Sequence, residues 1–192
     1  LLAIAAGLHL VQREHLYDRI LVSRPIVPLG KDIGYLPGDK EEKLSHWMEP
    51  IFDNLDYLLR KHQPDLPPAG AKKQPKLLSP QERIRQLLDT DILELEALTY
   101  IRGRSISKQF IIIDEAQNLT PHEVKTVVSR AGEGSKVILT GDPYQIDNPY
   151  LDASSNGLTY AAERLKELPL HGHVTLQRSE RSLLAAAAAK FL

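Results

Sequence analysis

The chain has 192 residues, of which 42% are apolar and 26% charged, and its formal net charge is −1. That balance suits a core-forming domain and argues against a chain-wide basic field for nucleic acid, so any such contact would rest on local Arg and Lys. The absence of cysteine excludes disulfides and thiolate metal sites and fits a reducing compartment such as the cytoplasm, and no apolar run reaches the length of a membrane span.

The apolar start, Leu1 to about Arg13, predicts a helix, and Arg19 to Ser23 predicts a short buried strand. Pro25 and Pro28 force an extended exit, and Gly30 to Asp39 reads as a glycine-rich loop. From Lys40 to about Lys61, the apolar residues Leu44, Trp47, Met48, Ile51, Phe52, Leu55, Leu58 and Leu59 recur at helical spacing interrupted by Pro50, which predicts helices joined or kinked there. Residues 63–78 carry prolines and lysines without periodicity, which predicts a mobile loop. Ser79-Pro80-Gln81-Glu82 is a capping box opening a helix through Leu88, followed by a strand at Ile92 to Leu95.

Phe110-Ile111-Ile112-Ile113-Asp114-Glu115-Ala116-Gln117 is the most informative segment. Four large apolar residues suit a strand buried on both faces of a parallel sheet, with the acids emerging at its carboxyl end, where open α/β sheets bind ligands. Asp114 is suited to hold a magnesium ion and Glu115 to polarise a water, as in the Walker B box of an NTPase. A helix-capping role for these acids is already filled by Thr120-Pro121-His122-Glu123, a second capping box. That helix stops near Gly132 and Gly134, and Lys136 to Thr140 repeats the strand design before Gly141-Asp142-Pro143-Tyr144-Gln145. The βαβ unit puts both polar clusters on one sheet edge, where Thr140, Gly141, Asp142 and Gln145 can line a nucleotide site. Thr140 and Gln145 are the candidates for sensing a terminal phosphate.

Further on, Asn156 to Lys166 predicts a helix, His173 to Leu176 a last strand, and Ser182 onward a terminal helix. Arg181 follows that strand at a place where helicase-like ATPases set an arginine against the transferring phosphoryl group, although a surface ion pair serves the same residue equally well. Arg24, Arg102 and Arg104, with Tyr100 as a stacking ring, are candidates for single-stranded RNA. Pairing with acids or lining a subunit interface is the simpler reading for each arginine.

No Gly-x-x-x-x-Gly-Lys-[Ser/Thr] phosphate loop occurs. Gly30-Lys31 comes nearest but is followed by Asp32 and lacks the leading glycine. The helical opening reads as the body of a helix following such a loop, so the expectation is one domain over residues 1–192 that begins just after it. Strands alternating with helices make the fold α/β, a RecA-like, mostly parallel sheet without its phosphate-loop strand.

Arg24-Pro25-Ile26-Val27-Pro28, Asp32 to Asp39, Tyr100 to Ser105, the Asp114 to Gln117 box, Leu139 to Asp147 and Glu180-Arg181-Ser182 together resemble the phosphate-starvation-inducible PhoH-like ATPase family, a relative of superfamily 1 helicases. The resemblance spans nearly the whole chain and is closest to the branch in which a PIN ribonuclease domain comes first. It implies an ATP- and magnesium-dependent ATPase that remodels RNA in a homo-oligomeric, hexameric ring in the cytoplasm. Asp114 would serve the metal, and Glu115, Gln145 and Arg181 the reaction. The competing reading is an RNA-binding or assembly module that lacks its own nucleotide cradle.

Overall fold

A computed structural model describes residues 1–25, 47–61, 78–98, 101, 103, 105–177, 182, 184 and 187. The chain separates into two compact units, Leu1–Ala161 and Ala162–Leu192. The first unit holds α1 (Leu2–Gln12), β1 (Arg19–Arg24), α2 (Glu49–Lys61), α3 (Pro80–Asp89), β2 (Leu93–Ala97), β3 (Gln109–Ile113), α4 (Pro121–Val128) and β4 (Lys136–Leu139). Helix α5 (Gly157–Leu165) crosses the boundary between the units.

All four strands run parallel in the order β2-β1-β3-β4. Parallel pairing requires a crossover for every connection, so helices must cover both faces and the central strands are apolar throughout. In β3, Phe110, Ile111, Ile112 and Ile113 are all buried. Even-numbered side chains, Ile20, Val22, Phe110 and Ile112, join one core cluster with Ile4 and Val11 of α1, Ile51 and Leu55 of α2, and Ile84 and Leu87 of α3. The odd-numbered Leu21, Ile111 and Ile113 bury on the opposite face. The crossover between the parallel strands β3 and β4 carries α4, whose Val124 and Val127 are buried. Close approach of α1 depends on Gly7: a Cβ there would lie 3.0 Å from a Phe110 ring carbon and 3.3 Å from Ile20 Cδ1.

Both expected capping boxes form. Ser79 Oγ accepts from the Glu82 N–H and Thr120 Oγ1 from the Glu123 N–H, each at 3.2 Å, while both glutamates accept in return from the cap N–H. Before α5, the Ser154 hydroxyl and the Ser154 and Ser155 N–H groups all donate to Asp152 Oδ1, at 2.7 to 2.8 Å. Asn156 then accepts from the Thr159 N–H at 2.9 Å, which caps the helix.

The helix break expected at Pro50 falls just before it: Trp47 is helical, Met48 is a turn, and α2 begins at Glu49 with Pro50 in its first turn, where its missing N–H would have had no helical partner. One expectation is corrected. His173 to Leu176 is not a strand: residues 171–177 have no regular structure, and Val174 and Leu176 are 82% and 73% exposed. Two apolar residues bring too little burial to draw in a neighbouring strand, without which the backbone stays solvated. The expected loop at 63–78 lies, apart from residue 78, outside the described residues, as does most of the expected terminal helix. Among the described residues no helix is long and apolar enough to cross a membrane.

Ile112 at the sheet centre is 1% exposed, so Ile112→Ala should cost about 2–5 kcal/mol in urea unfolding and Ile112→Val about 0.5–1.5 kcal/mol. The serine hydroxyl and amides around Asp152 hold its carboxyl at about 2 instead of 3.8. A depressed folded-state value means that the turn is fully stabilised above 3.8 and loosens as pH falls through about 2. Ser154 and Ser155 amide resonances followed through that window should move together.

Candidate functional site

Parallel register carries the strand ends to one edge. Ser23 pairs with Ile113, and Ile113 with Leu139, so the next residues, Arg24, Asp114 and Thr140, form a row across β1, β3 and β4. Aligned positions in a parallel sheet project to the same side, and the contacts follow. Thr140 Oγ1 donates to Asp114 Oδ1 at 2.7 Å, while Arg24 Nε lies 3.3 Å from Asp114 Oδ2. Backbone bonds brace the row, with the Asp114 N–H donating to Ser23 O and the Ala116 N–H to Thr140 O, both at 2.9 Å.

The strand order adds meaning to this place. The chain leaves β1 towards β2 on one side, then returns to build β3 and β4 on the other, so the order reverses between β1 and β3. Crevices at such switch points, outside the carboxyl ends of the strands, are where open α/β sheets take ligands. Arg24 and Asp114 stand on its two sides.

Glu115 follows in the left-handed region, at φ 55° and ψ 38°, an unusual conformation for a non-glycine residue. The turn brings its carboxylate back to the row. Arg24 Nη2 lies 3.4 Å from Glu115 Oε1, and Arg24 Nη1 donates to the Trp47 carbonyl at 3.0 Å. One guanidinium, its side chain 17% exposed, thus serves both acids. Gln117 Nε2 donates to the other Glu115 oxygen at 2.6 Å. On the β4 loop, Gln145 Nε2 donates to Asp142 Oδ2 at 2.8 Å. Gly141 is required by close approach, because a Cβ there would overlap Gln117 Oε1 and come to 3.2 Å from Ala116 N.

Asp114, Glu115, Thr140, Gly141, Asp142, Gln145 and Arg24 therefore gather at one edge. Arg24 is turned to the carboxylates. Tyr100, Arg102, Arg104 and Arg181 lie outside the described residues. Sequence reasoning assigned no part to Gln117 or Asn118, both buried here. Their signal was two adjacent amides one residue after two acids, and it becomes interpretable only once the β4 loop is seen against them.

A family model described as PhoH-like protein matches residues 1–190. The chain belongs to the PhoH-like family. It is 56% identical to Protein PhoH2 of Bacillus subtilis over 192 residues, all of this chain and 40% of that relative. Protein PhoH2 of Mycolicibacterium smegmatis is 39% identical over the same length, again all of this chain and 39% of the relative. PhoH-like protein of Bacillus subtilis is 35% identical over 165 residues, 86% of this chain and 44% of that protein. The chain thus spans well under half the length of these PhoH-like relatives.

The oxygen donors offered are carboxylates and a hydroxyl. Among the described residues no group of three His, Cys, Asp or Glu side chains could cage a metal. A donor set of this kind suits magnesium, which is held through one or two carboxylates together with water and substrate oxygens. Asp114 fits that part.

Arg24→Ala leaves two adjacent carboxylates facing each other without their shared cation. The expected cost is about 1–3 kcal/mol by urea unfolding, the worth of hydrogen bonds to charged groups. Added salt should narrow the gap by screening the acids. An unchanged unfolding midpoint would mean that the guanidinium is not engaged in solution.

Proposed function

We propose that this domain hydrolyses ATP with magnesium and couples turnover to remodelling of single-stranded RNA. The observation that carries the reading is the row Arg24, Asp114, Thr140 at the switch point, with Glu115 folded back beside it. Asp114 would hold the cation, already steadied by the Thr140 hydroxyl. Magnesium, when bound, supplies neutralisation of charge on the phosphate oxygens. Glu115 would accept a proton from the attacking water, Thr140 and Gln145 would sense the terminal phosphate, and Gly141 and Asp142 would line its approach. Arg181 would supply positive charge to the phosphoryl group as it transfers.

Helix α1 supports the same reading by its direction. It runs into β1 at the amino edge of the sheet, so its leading end points to the carboxyl edge. Gly7 packs at the level of Phe110. From there the helix climbs about 9 Å back to Leu1 at ~1.5 Å per residue, and β3 climbs about 13 Å to Asp114 at ~3.3 Å per residue. Both advance towards one edge, and a helix N-terminus is a natural phosphate site.

Since Arg24 serves the acids, Tyr100, Arg102 and Arg104 carry the proposed RNA contact. A homo-oligomeric ring in the cytoplasm, with a PIN domain ahead of the ATPase, completes the reading. Its support is the family resemblance.

In the full-length protein, Glu115→Gln should lower kcat for ATP by about a hundredfold or more, the usual worth of a general base, while binding of a fluorescent ATP analogue persists. Turnover equal to wild type would remove Glu115 from the chemistry.

A further inference from the structure

Two consecutive amides follow the acids, and both are buried: Gln117 has no exposure and Asn118 is 4% exposed. Each holds one turn of the loop leaving β4. Gln117 Oε1 accepts from the Asp142 N–H at 3.3 Å and its Nε2 donates to Gln145 O at 2.9 Å. Asn118 Oδ1 accepts from the Asp147 and Asn148 N–H groups at 2.7 and 3.2 Å.

The two turns are a local repeat, Asp142-Pro143-Tyr144 and Asn148-Pro149-Tyr150. In each, the first side chain accepts from the tyrosine N–H, at 3.0 and 3.1 Å, which closes an Asx turn. The loop is therefore two pre-folded turns, each pinned from beneath at its leading Asx by one of two adjacent amides.

The pins are not equivalent. Asn118 ends at the loop, whereas Gln117 also donates to Glu115 Oε2 at 2.6 Å. One buried amide group thus bridges the carboxylate read as the base and the backbone of Gln145, with its oxygen on Asp142. Its two N–H bonds are both used, so neither partner can shift without disturbing the other.

Resting on the ATP-hydrolysis reading, we infer that Gln117 is a positioning residue: it orients the Glu115 carboxylate and ties that orientation to Asp142 and Gln145. Loss of the terminal phosphate would let the β4 loop move, and the loop would carry the amide and the base with it. The Glu115 turn and the β4 loop then act as one unit, in which phosphate sensing and water activation are set together.

The test compares four variants of the full-length protein. Glu115→Gln checks the parent reading. Gln117→Met keeps the volume but removes the amide, and should lower kcat about tenfold or more, the worth of a hydrogen bond to a charged group, with KM and affinity for a non-hydrolysable ATP analogue little changed. Gly141→Ala should also lower kcat without touching Gln117 chemically, since its methyl overlaps Gln117 Oε1. It carries the test if Gln117→Met does not fold. Asn118→Ala should speed amide exchange at Asp147 and Asn148 yet leave kcat near wild type. The inference is overturned if Asn118→Ala lowers kcat as much as Gln117→Met, which would make the effect one of loop stability, or if Gln117→Met keeps wild-type kcat while Glu115→Gln is inactive. Wild-type turnover in Glu115→Gln would instead remove the ATP-hydrolysis reading itself.

Discussion

Two carboxylates set side by side at the mouth of an apolar sheet repel each other, and the local structure is arranged around that cost. Asp114 and Glu115 are neighbours in sequence, half-buried, and turned towards the same opening. A single guanidinium answers both, while a hydroxyl and a buried amide each take one further oxygen. The partners come from β1, from the β4 loop and from the turn itself, so the acids knit together three parts of the sheet. A charged pair so placed is poor evidence of stability in its own right, because taking ions out of water opposes much of their attraction. Holding two acids in one orientation is worth that cost where chemistry needs it.

The apolar body of the sheet makes this arrangement rigid. With β1 and β3 buried on both faces, a slip in register would turn core residues to the wrong side, so the row of Arg24, Asp114 and Thr140 is fixed by Ile and Val several residues below it. Residues far from the opening thereby determine which side chains meet there. The left-handed backbone at Glu115 is the local complement: it lets a residue that would otherwise continue away from the strand return to the row.

How far sequence reading reached depends on how local each signal was. The capping boxes at Ser79 and Thr120 are satisfied within four residues, so their helices start where expected. The apolar run at Phe110 to Ile113 announces a doubly buried strand by composition alone. Pro50 marks a helix start, because proline suits a first helical turn. His173 to Leu176 was misread. An alternating tetrapeptide becomes a strand only if another strand pairs with it, and none does among the described residues.

The site divides along the same line. Asp114, Glu115, Thr140, Gly141, Asp142 and Gln145 were legible because each sits at or just past the end of a recognisable strand. Arg24 was legible as a cation but not by destination, since its partners lie some ninety residues away and meet it only through the pairing of β1 with β3. Gln117 was legible as the end of the Asp114 to Gln117 box but not by its contacts, and Asn118 looked like an ordinary polar residue until the β4 loop was laid over both.

Hydrophobic period and capping chemistry act over a few residues, and through them the sequence by itself determined most of the element types, the parallel character of the sheet and the acids at a strand end. Strand order, register and the burial of the amide pair come from contacts between residues far apart in the chain. Those contacts exist only once the apolar faces have packed, so tertiary structure alone decided that one arginine, one threonine and one glutamine would stand around the same two acids.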